Sequence, residues 1–296
     1  MNYIITHSDF DGTICAALIL KEIKEGKIIF STPASIKKTL CKIIAFNEDL
    51  ENLYVADISP NEKAIKLASI FQNVYWFDHH ISNFKSFENV NLIIDSSKKS
   101  CARLISEFYG IESEWIDIAD KIDSNECFDL ISQKIRNYFY ALKYYYKKFS
   151  VATLSKIVRQ ILDISPKEFL EKNEVKELIE KFENEINIKL QNALNKVEIK
   201  ELNGFKIGLI ELEYSLPVSL IYNQIKNNTD ILVTIFRNGM KTKIELRSDK
   251  LNVHKIAKEF GGGGHVKASG ASLNYYVSKE EIEDKIREVL PEILKD

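Results

Sequence analysis

Short apolar runs alternate with longer amphipathic stretches through the first third of the chain, the pattern of strands interleaved with helices. The runs Tyr3–Thr6, Lys27–Ser31, Leu53–Ala56, Val74–Phe77 and Asn91–Ile94 are short and rich in β-branched or aromatic residues, so each is predicted to be a strand. Between the first two, Cys15, Leu18, Ile19 and Ile23 recur at helical spacing and Gly26 follows as a stop, which predicts a helix over Gly12–Glu25. Pro60 and Asn61 open another. Such alternation predicts an α/β fold with a mostly parallel sheet and helices on both faces. From about Trp115 to about Lys200 the pattern is almost wholly helical and ends in a mixed acidic and basic stretch. Asn203 and Gly204 then mark a return to strands at Phe205–Leu212, Ile231–Phe236 and Lys241–Leu246, with helices at Pro217–Lys226 and Val253–Phe260. The expected architecture is an N-terminal domain with a mostly parallel sheet and a helical connector, residues 1–195, followed by a smaller C-terminal α/β domain, residues 200–296.

A chain of 296 residues is long enough for two such cores. Its 41 basic and 43 acidic residues leave no global positive field, so no grip on long duplex nucleic acid is expected, while a short anionic ligand is not excluded. Cys15, Cys41, Cys101 and Cys127 form no CxxC pair and read as free thiols of a reducing compartment. With no signal-peptide pattern and no run of membrane-spanning length, a soluble cytoplasmic protein is expected.

Four short runs stand out: Thr6–Gly12, Phe77–His80 and Gly261–Gly270, which hold all histidines except His254, and Val55–Ser59, which holds Asp57. In the first run His7, Asp9 and Asp11 alternate, so a strand continuing through them would send all three side chains to one side. Asp57 follows the third strand, and Asp78, His79 and His80 end the fourth; a parallel sheet would bring them to the same carboxyl edge. Asp120 is the leading candidate for a further carboxylate, with Asp117 and Asp123 flanking it at near-helical intervals. Taken singly, Asp11 before Gly12 or Asp57 before Pro60 reads as an ordinary cap. Together, so many carboxylates around one point cannot stay ionised without a compensating positive charge. Carboxylates with a minority of imidazoles suit Mn²⁺ or Mg²⁺, and Co²⁺ or Zn²⁺ less specifically. The number of donors exceeds the needs of one ion, which favours a pair roughly 3.5–4 Å apart.

These residues carry a resemblance. The triplet Asp78-His79-His80, the run Gly261-Gly262-Gly263-Gly264-His265 and the first-motif aspartates Asp9 and Asp11 resemble, in order and over nearly the whole chain, the DHH superfamily of phosphoesterases that bear a DHH-associated C-terminal domain. Many relatives space the first motif as HxxxDxD, where this chain has HxDxD. The resemblance implies a dimetal centre, usually Mn²⁺, with His7, Asp9 and Asp57 around one ion and Asp11, Asp57, His79 and Asp120 around the other. It implies that Asp78 orients His79 and that His80 hydrogen-bonds the substrate phosphate.

Four consecutive glycines, Gly261–Gly264, forbid a regular element and let backbone approach a ligand closely, so their N–H groups are candidates for a phosphate cradle. Arg247 and Ser248, at the end of a candidate strand, would add a donor fork and a hydroxyl, with His265 beside them and Lys267 as a secondary contact. A flexible surface loop is the plainer alternative. The stretch Tyr138–Phe149 interleaves aromatics with lysines and could stack bases, but the spacing of Tyr138, Leu142, Tyr145 and Phe149 reads as the buried stripe of a helix. The function expected is a metal-dependent phosphodiesterase acting on short oligoribonucleotides or dinucleotides, linear or cyclic, and releasing 5′-mononucleotides. Alternatives are a 3′-phosphoadenosine 5′-phosphate phosphatase, a single-strand exonuclease and a non-catalytic nucleotide sensor. A homodimer is left open.

Overall fold

Strand residues near the N-terminus must satisfy two apolar environments at once, because alternate side chains leave opposite faces of the sheet. The computed structural model, which describes residues 1–81, 84, 87, 89–145, 151–214 and 216–293, shows how they do so. The chain forms two compact units, Met1–Phe182 and Glu183–Asp296.

The first unit runs β1 (Asn2–His7), α1 (Phe10–Ile23), β2 (Lys27–Ser31), α2 (Ile36–Phe46), β3 (Asn52–Ala56), α3 (Glu62–Ala68), β4 (Asn73–Asp78), β5 (Val90–Ile94), α4 (Cys101–Tyr109), α5 (Glu114–Asp123), α6 (Leu130–Tyr145), α7 (Val151–Gln160), a 3₁₀ turn (Ile161–Asp163) and α8 (Pro166–Glu171). Its five strands are all parallel, in the order β2-β1-β3-β4-β5. On one face Tyr3, Ile5, Leu53, Val55, Val74 and Trp76 bury against Ile36, Leu40 and Ile43 of α2 and Ala64 and Ile65 of α3. On the other, Ile4, Ala56 and Phe77 join a larger core with Ile14, Leu18, Trp115, Ile135 and Phe139. Each large side chain so buried contributes about 1.5–3 kcal/mol. The helical stretch from Trp115 packs into this second core, where Trp115, Tyr138, Phe139 and Phe169 meet edge to face. Tyr138 and Leu142 are buried there as the helical stripe requires, while Phe149 lies outside the described residues.

The order of this sheet reverses at β1, which has β2 on one side and β3 on the other. Loops leaving the carboxyl ends of β1 and β3 therefore diverge and open a crevice, the usual ligand position in such sheets.

Helix α9 (Asn173–Leu194) contains the division between the units. The second unit continues with β6 (Glu198–Leu202), β7 (Phe205–Leu212), α10 (Val218–Ile225), β8 (Ile231–Asn238), β9 (Lys241–Arg247), α11 (Val253–Glu259), β10 (Gly263–Gly264), β11 (Ala268–Leu273) and α12 (Lys279–Ile293). Its six strands lie in the order β10-β11-β9-β8-β7-β6, with β7 and β8 parallel and the other pairs antiparallel. Ile207, Leu209, Ile231, Val233, Ile235, Ile244 and Leu246 form its core with α11 and α12. The glycine run does not stay out of regular structure: Gly263 and Gly264 pair with Gly270 and Ser269. A Cβ on Gly262 would lie 2.1 Å from the Gly270 carbonyl oxygen, so this close approach, rather than flexibility, requires glycine there.

Candidate metal centre

The strand β1 ends at His7, and Asp9 starts the next element by capping α1: its Oδ1 accepts from the Gly12 amide at 3.0 Å. Asp11 lies in the first helical turn, so the three residues do not share one extended strand as the alternating pattern suggested. They converge nonetheless, because the strand ends where the helix begins. Gly12 allows that tight junction, since a Cβ there would lie 2.3 Å from the His7 carbonyl oxygen. Asp57 follows β3 with a left-handed backbone, φ 56°, which aspartate tolerates better than most residues and which costs about 1–3 kcal/mol. Trp76 Nε1 holds the loop beyond it by donating to the Ile58 carbonyl at 2.7 Å.

Two of the resulting groups of donors lie on either side of Asp57. His7, Asp9 and Asp57 offer ligand atoms within 4.8 Å of one another, and so do Asp11, His79 and Asp123. Asp57 touches both: its Oδ2 is 3.8 Å from His7 Nδ1 and its Oδ1 is 3.8 Å from His79 Nε2. His79 Nδ1 lies 3.2 Å from the Lys98 carbonyl, which can only accept, so Nδ1 carries the proton and Nε2 faces the acids. That Nε2 is 3.3 Å from Asp123 and 3.8 Å from Asp11.

Asp11 and Asp57 are almost wholly buried, and burial first, then the neighbouring carboxylates, pushes both well above the usual carboxylate range. Burial also raises Asp123, although His79 opposes it. Asp57 Oδ2 is buried without a hydrogen-bond partner. A group of oxygen donors that resist ionisation, one of them unsatisfied, interleaved with an imidazole nitrogen turned toward them, fits a pair of divalent cations sharing Asp57.

Asp78 is fully buried, and its Oδ1 lies 2.6 Å from His80 Nδ1. The sequence assigned Asp78 to orient His79; the structure gives that task to the Lys98 carbonyl and pairs Asp78 with His80 instead. Burial works against charge on His80, but the Asp78 carboxylate outweighs it and raises the imidazole's pKa.

Asp120 is placed differently from the sequence expectation. Ser100 Oγ donates to its Oδ1 at 2.6 Å, while Arg103 Nε and Nη2 donate to its Oδ2 at 2.9 and 2.7 Å. Asp117 also takes a hydrogen bond from Arg103, and Asp123 is the one of the three that reaches His79. The 3-residue spacing along α5 put all three on neighbouring positions, and Ser100 and Arg103, from outside α5, decide among them.

Comparison with known proteins shows similarities in sequence and in fold. Residues 217–296 match the DHHA1 domain. A 75-residue segment is 35% identical to the bifunctional oligoribonuclease and PAP phosphatase NrnA of Mycoplasma genitalium, covering 24% of this chain and 23% of that relative. The fold matches the pGpG-specific phosphodiesterase PggH of Vibrio cholerae over the whole of both chains (18% identity, TM-score 0.64). It also matches RecJ of Thermus thermophilus in complex with Mn²⁺ over all of this chain and 52% of that one (11% identity, TM-score 0.57). Residues 217–296 are thus similar to a DHHA1 domain, and the chain as a whole shares its fold with these PggH and RecJ structures.

Within residues 217–296 the candidate phosphate contacts differ in availability. Arg247 ends β9 half-buried, its Nη1 donating to the Leu246 carbonyl at 3.0 Å. Ser248 is fully buried and committed to structure: its Oγ donates to the Asp230 carbonyl at 2.7 Å and accepts from the amides of Lys250 and Leu251. The hydroxyl expected to meet a ligand instead closes the turn after β9. His265 is half-buried in the turn between β10 and β11, its amide donating to the Ala268 carbonyl at 2.8 Å, and Lys267 is exposed. Among the described residues, no helix is long and apolar enough to cross a membrane, and all four cysteines are free.

Proposed function

We propose that this protein is a divalent-metal-dependent DHH phosphodiesterase that cleaves short oligoribonucleotides or dinucleotides, linear or cyclic, to 5′-mononucleotides. The observation that carries this reading is the pair of donor groups meeting at Asp57, with His80 beside them held by Asp78. Paired divalent cations, with Mn²⁺ expected and Mg²⁺ or Co²⁺ as alternatives, supply a water nucleophile of low pKa and absorb charge on phosphoryl oxygens. His7, Asp9 and Asp57 would hold one, and Asp11, Asp57, His79 and Asp123 the other. The His80 imidazole, whose proton Asp78 favours, would donate a hydrogen bond to a phosphoryl oxygen of the substrate and favour the charge that builds there. Within the second unit, Arg247, the Gly261–Gly264 backbone and His265 are proposed to bind nucleotide phosphate or ribose, with Lys267 secondary. Ser248 is left out of that set.

The Mycoplasma relative, a bifunctional oligoribonuclease and PAP phosphatase, favours a second reading at the same centre, removal of the 3′-phosphate from 3′-phosphoadenosine 5′-phosphate. The near-neutral charge disfavours a processive exonuclease that tracks long single strands. Incubation of purified protein and Mn²⁺ with linear and cyclic dinucleotides, short oligoribonucleotides, a long single strand and 3′-phosphoadenosine 5′-phosphate, with chromatography of the products, separates these readings. Mononucleotides from the short diesters, lost in Asp57→Ala and His79→Ala, are the expected result. Folded wild-type protein that binds but never turns over any of these with Mn²⁺, Mg²⁺ or Co²⁺ is a nucleotide sensor.

A further inference from the structure

We infer that Arg103, Asp120 and Ser100 form a positioning clamp that assembles the second cation site, with Asp120 acting through its neighbours rather than as a ligand. The inference rests on reading Asp11, His79 and Asp123 as that site. Two of its acids come from separate helices, Asp11 from α1 and Asp123 from α5, and α4 packs against both. Asp11 reaches across from α1 to the first turn of α4, where its Oδ2 accepts from the Cys101 amide at 2.7 Å and its Oδ1 from the Ala102 amide at 2.9 Å. Asp123 ends α5. The second site exists only if the start of α4 and the end of α5 are held in register.

The clamp does this with one buried carboxylate. Ser100 caps α4 by accepting from the Arg103 amide at 3.1 Å, and the same hydroxyl donates to Asp120. Arg103, one turn into α4, closes on Asp120 through two nitrogens and reaches Asp117 as well. Asp120 is 13% exposed against 69% for Asp117, so the inner contact is the one shielded from water and the outer one adds little. Asp120 stands one helical turn before Asp123, so fixing its carboxylate on α4 fixes where the Asp123 carboxylate emerges. The Ser100 cap also aims the two α4 amides that hold Asp11. Three contacts thus tie both acids to one point, and Asp120 spends its oxygens on that task.

The test is Mn²⁺ binding to the purified full-length protein, counted by calorimetry and by the loss of the free-ion electron paramagnetic resonance signal. Wild type is expected to bind two ions and His7→Ala one. Arg103→Gln and Asp120→Asn are each expected to weaken one site about 10–100-fold while leaving the other unchanged, with the double variant no worse than the singles. Arg103→Lys is expected to recover part of the loss, and Asp117→Asn to bind as wild type. If Arg103→Gln retains two tight ions while Asp120→Asn loses one, Asp120 is a ligand and the clamp is wrong. Two undiminished sites in both variants overturn it equally. Wild-type protein that binds no pair of ions would instead sink the underlying metal reading. Melting in chelator identifies any variant that fails to fold, and Arg103→Lys then decides: unchanged binding by that folded variant, with its single-pronged contact, argues against the clamp.

Discussion

Asp57 is central to the site, because its two oxygens face both donor groups and do so from a left-handed backbone. Asp57→Asn is expected to abolish both Mn²⁺ binding events in the same calorimetric titration, whereas His7→Ala removes one; loss of a single event in both variants would contradict the shared role. His80 depends on Asp78 in a different way. Since the Asp78 carboxylate holds the imidazole above its ordinary pKa despite burial, His80 is protonated below that raised value and loses the proton as pH rises through it. Asp78→Asn removes the support, so the alkaline limb of the pH–rate profile is expected to move to lower pH and turnover to fall about 10–100-fold. An unmoved limb would show that His80 does not act through its proton.

Among the elements, the sheet of the first unit was legible because its central strands β1, β3 and β4 are largely buried and read as apolar runs, and because His7 and Asp78 end two of them and Asp57 follows the third. The strand β6 was not: Glu198, Ile199, Lys200 and Glu201 are all exposed on an edge, so no alternation marks them. Nor was β11, whose Ala-Ser-Gly-Ala-Ser-Leu has little β-propensity of its own and is held by pairing with β9. The choice among Asp117, Asp120 and Asp123 was invisible for a related reason, since it depends on Arg103 from another helix. The glycine run suggested freedom, yet the structure uses it for contact between strands. Gly262→Ala is therefore expected to destabilise the protein by about 1–3 kcal/mol in chemical melts, through a Cβ forced against the Gly270 carbonyl. At Gly263 a Cβ meets nothing within 4 Å, so Gly263→Ala is the matched control with a small effect. Equal losses at both positions would mean the run is needed for flexibility instead.

For the whole molecule, a centre so rich in acids makes stability depend on pH and on metal together. Asp11, Asp57 and Asp123 have folded-state pKa values above the unfolded value of 3.8, so between that value and their own the native state binds more protons and stability falls as pH rises. His7, raised chiefly by the Asp9 charge, and His80 contribute stability that is complete below the unfolded value of 6.5 and lost as pH rises through their folded values. Both effects have the same sign. Metal-free protein is expected to lose melting temperature from about pH 4 upward through neutrality, with Mn²⁺ restoring more of it at pH 7.5 than at pH 5.5. A chelated protein whose melting temperature rises over that range would show that the acids are not crowded as described. The most direct measurement is crystallographic: anomalous scattering recorded near the manganese absorption edge from crystals of the Mn²⁺-loaded protein. The account predicts two peaks roughly 3.5–4 Å apart on either side of Asp57, one against His7 and Asp9 and the other against Asp11, His79 and Asp123. A single peak, peaks away from Asp57, or an ion bound to Asp120 in place of Asp123 would contradict it.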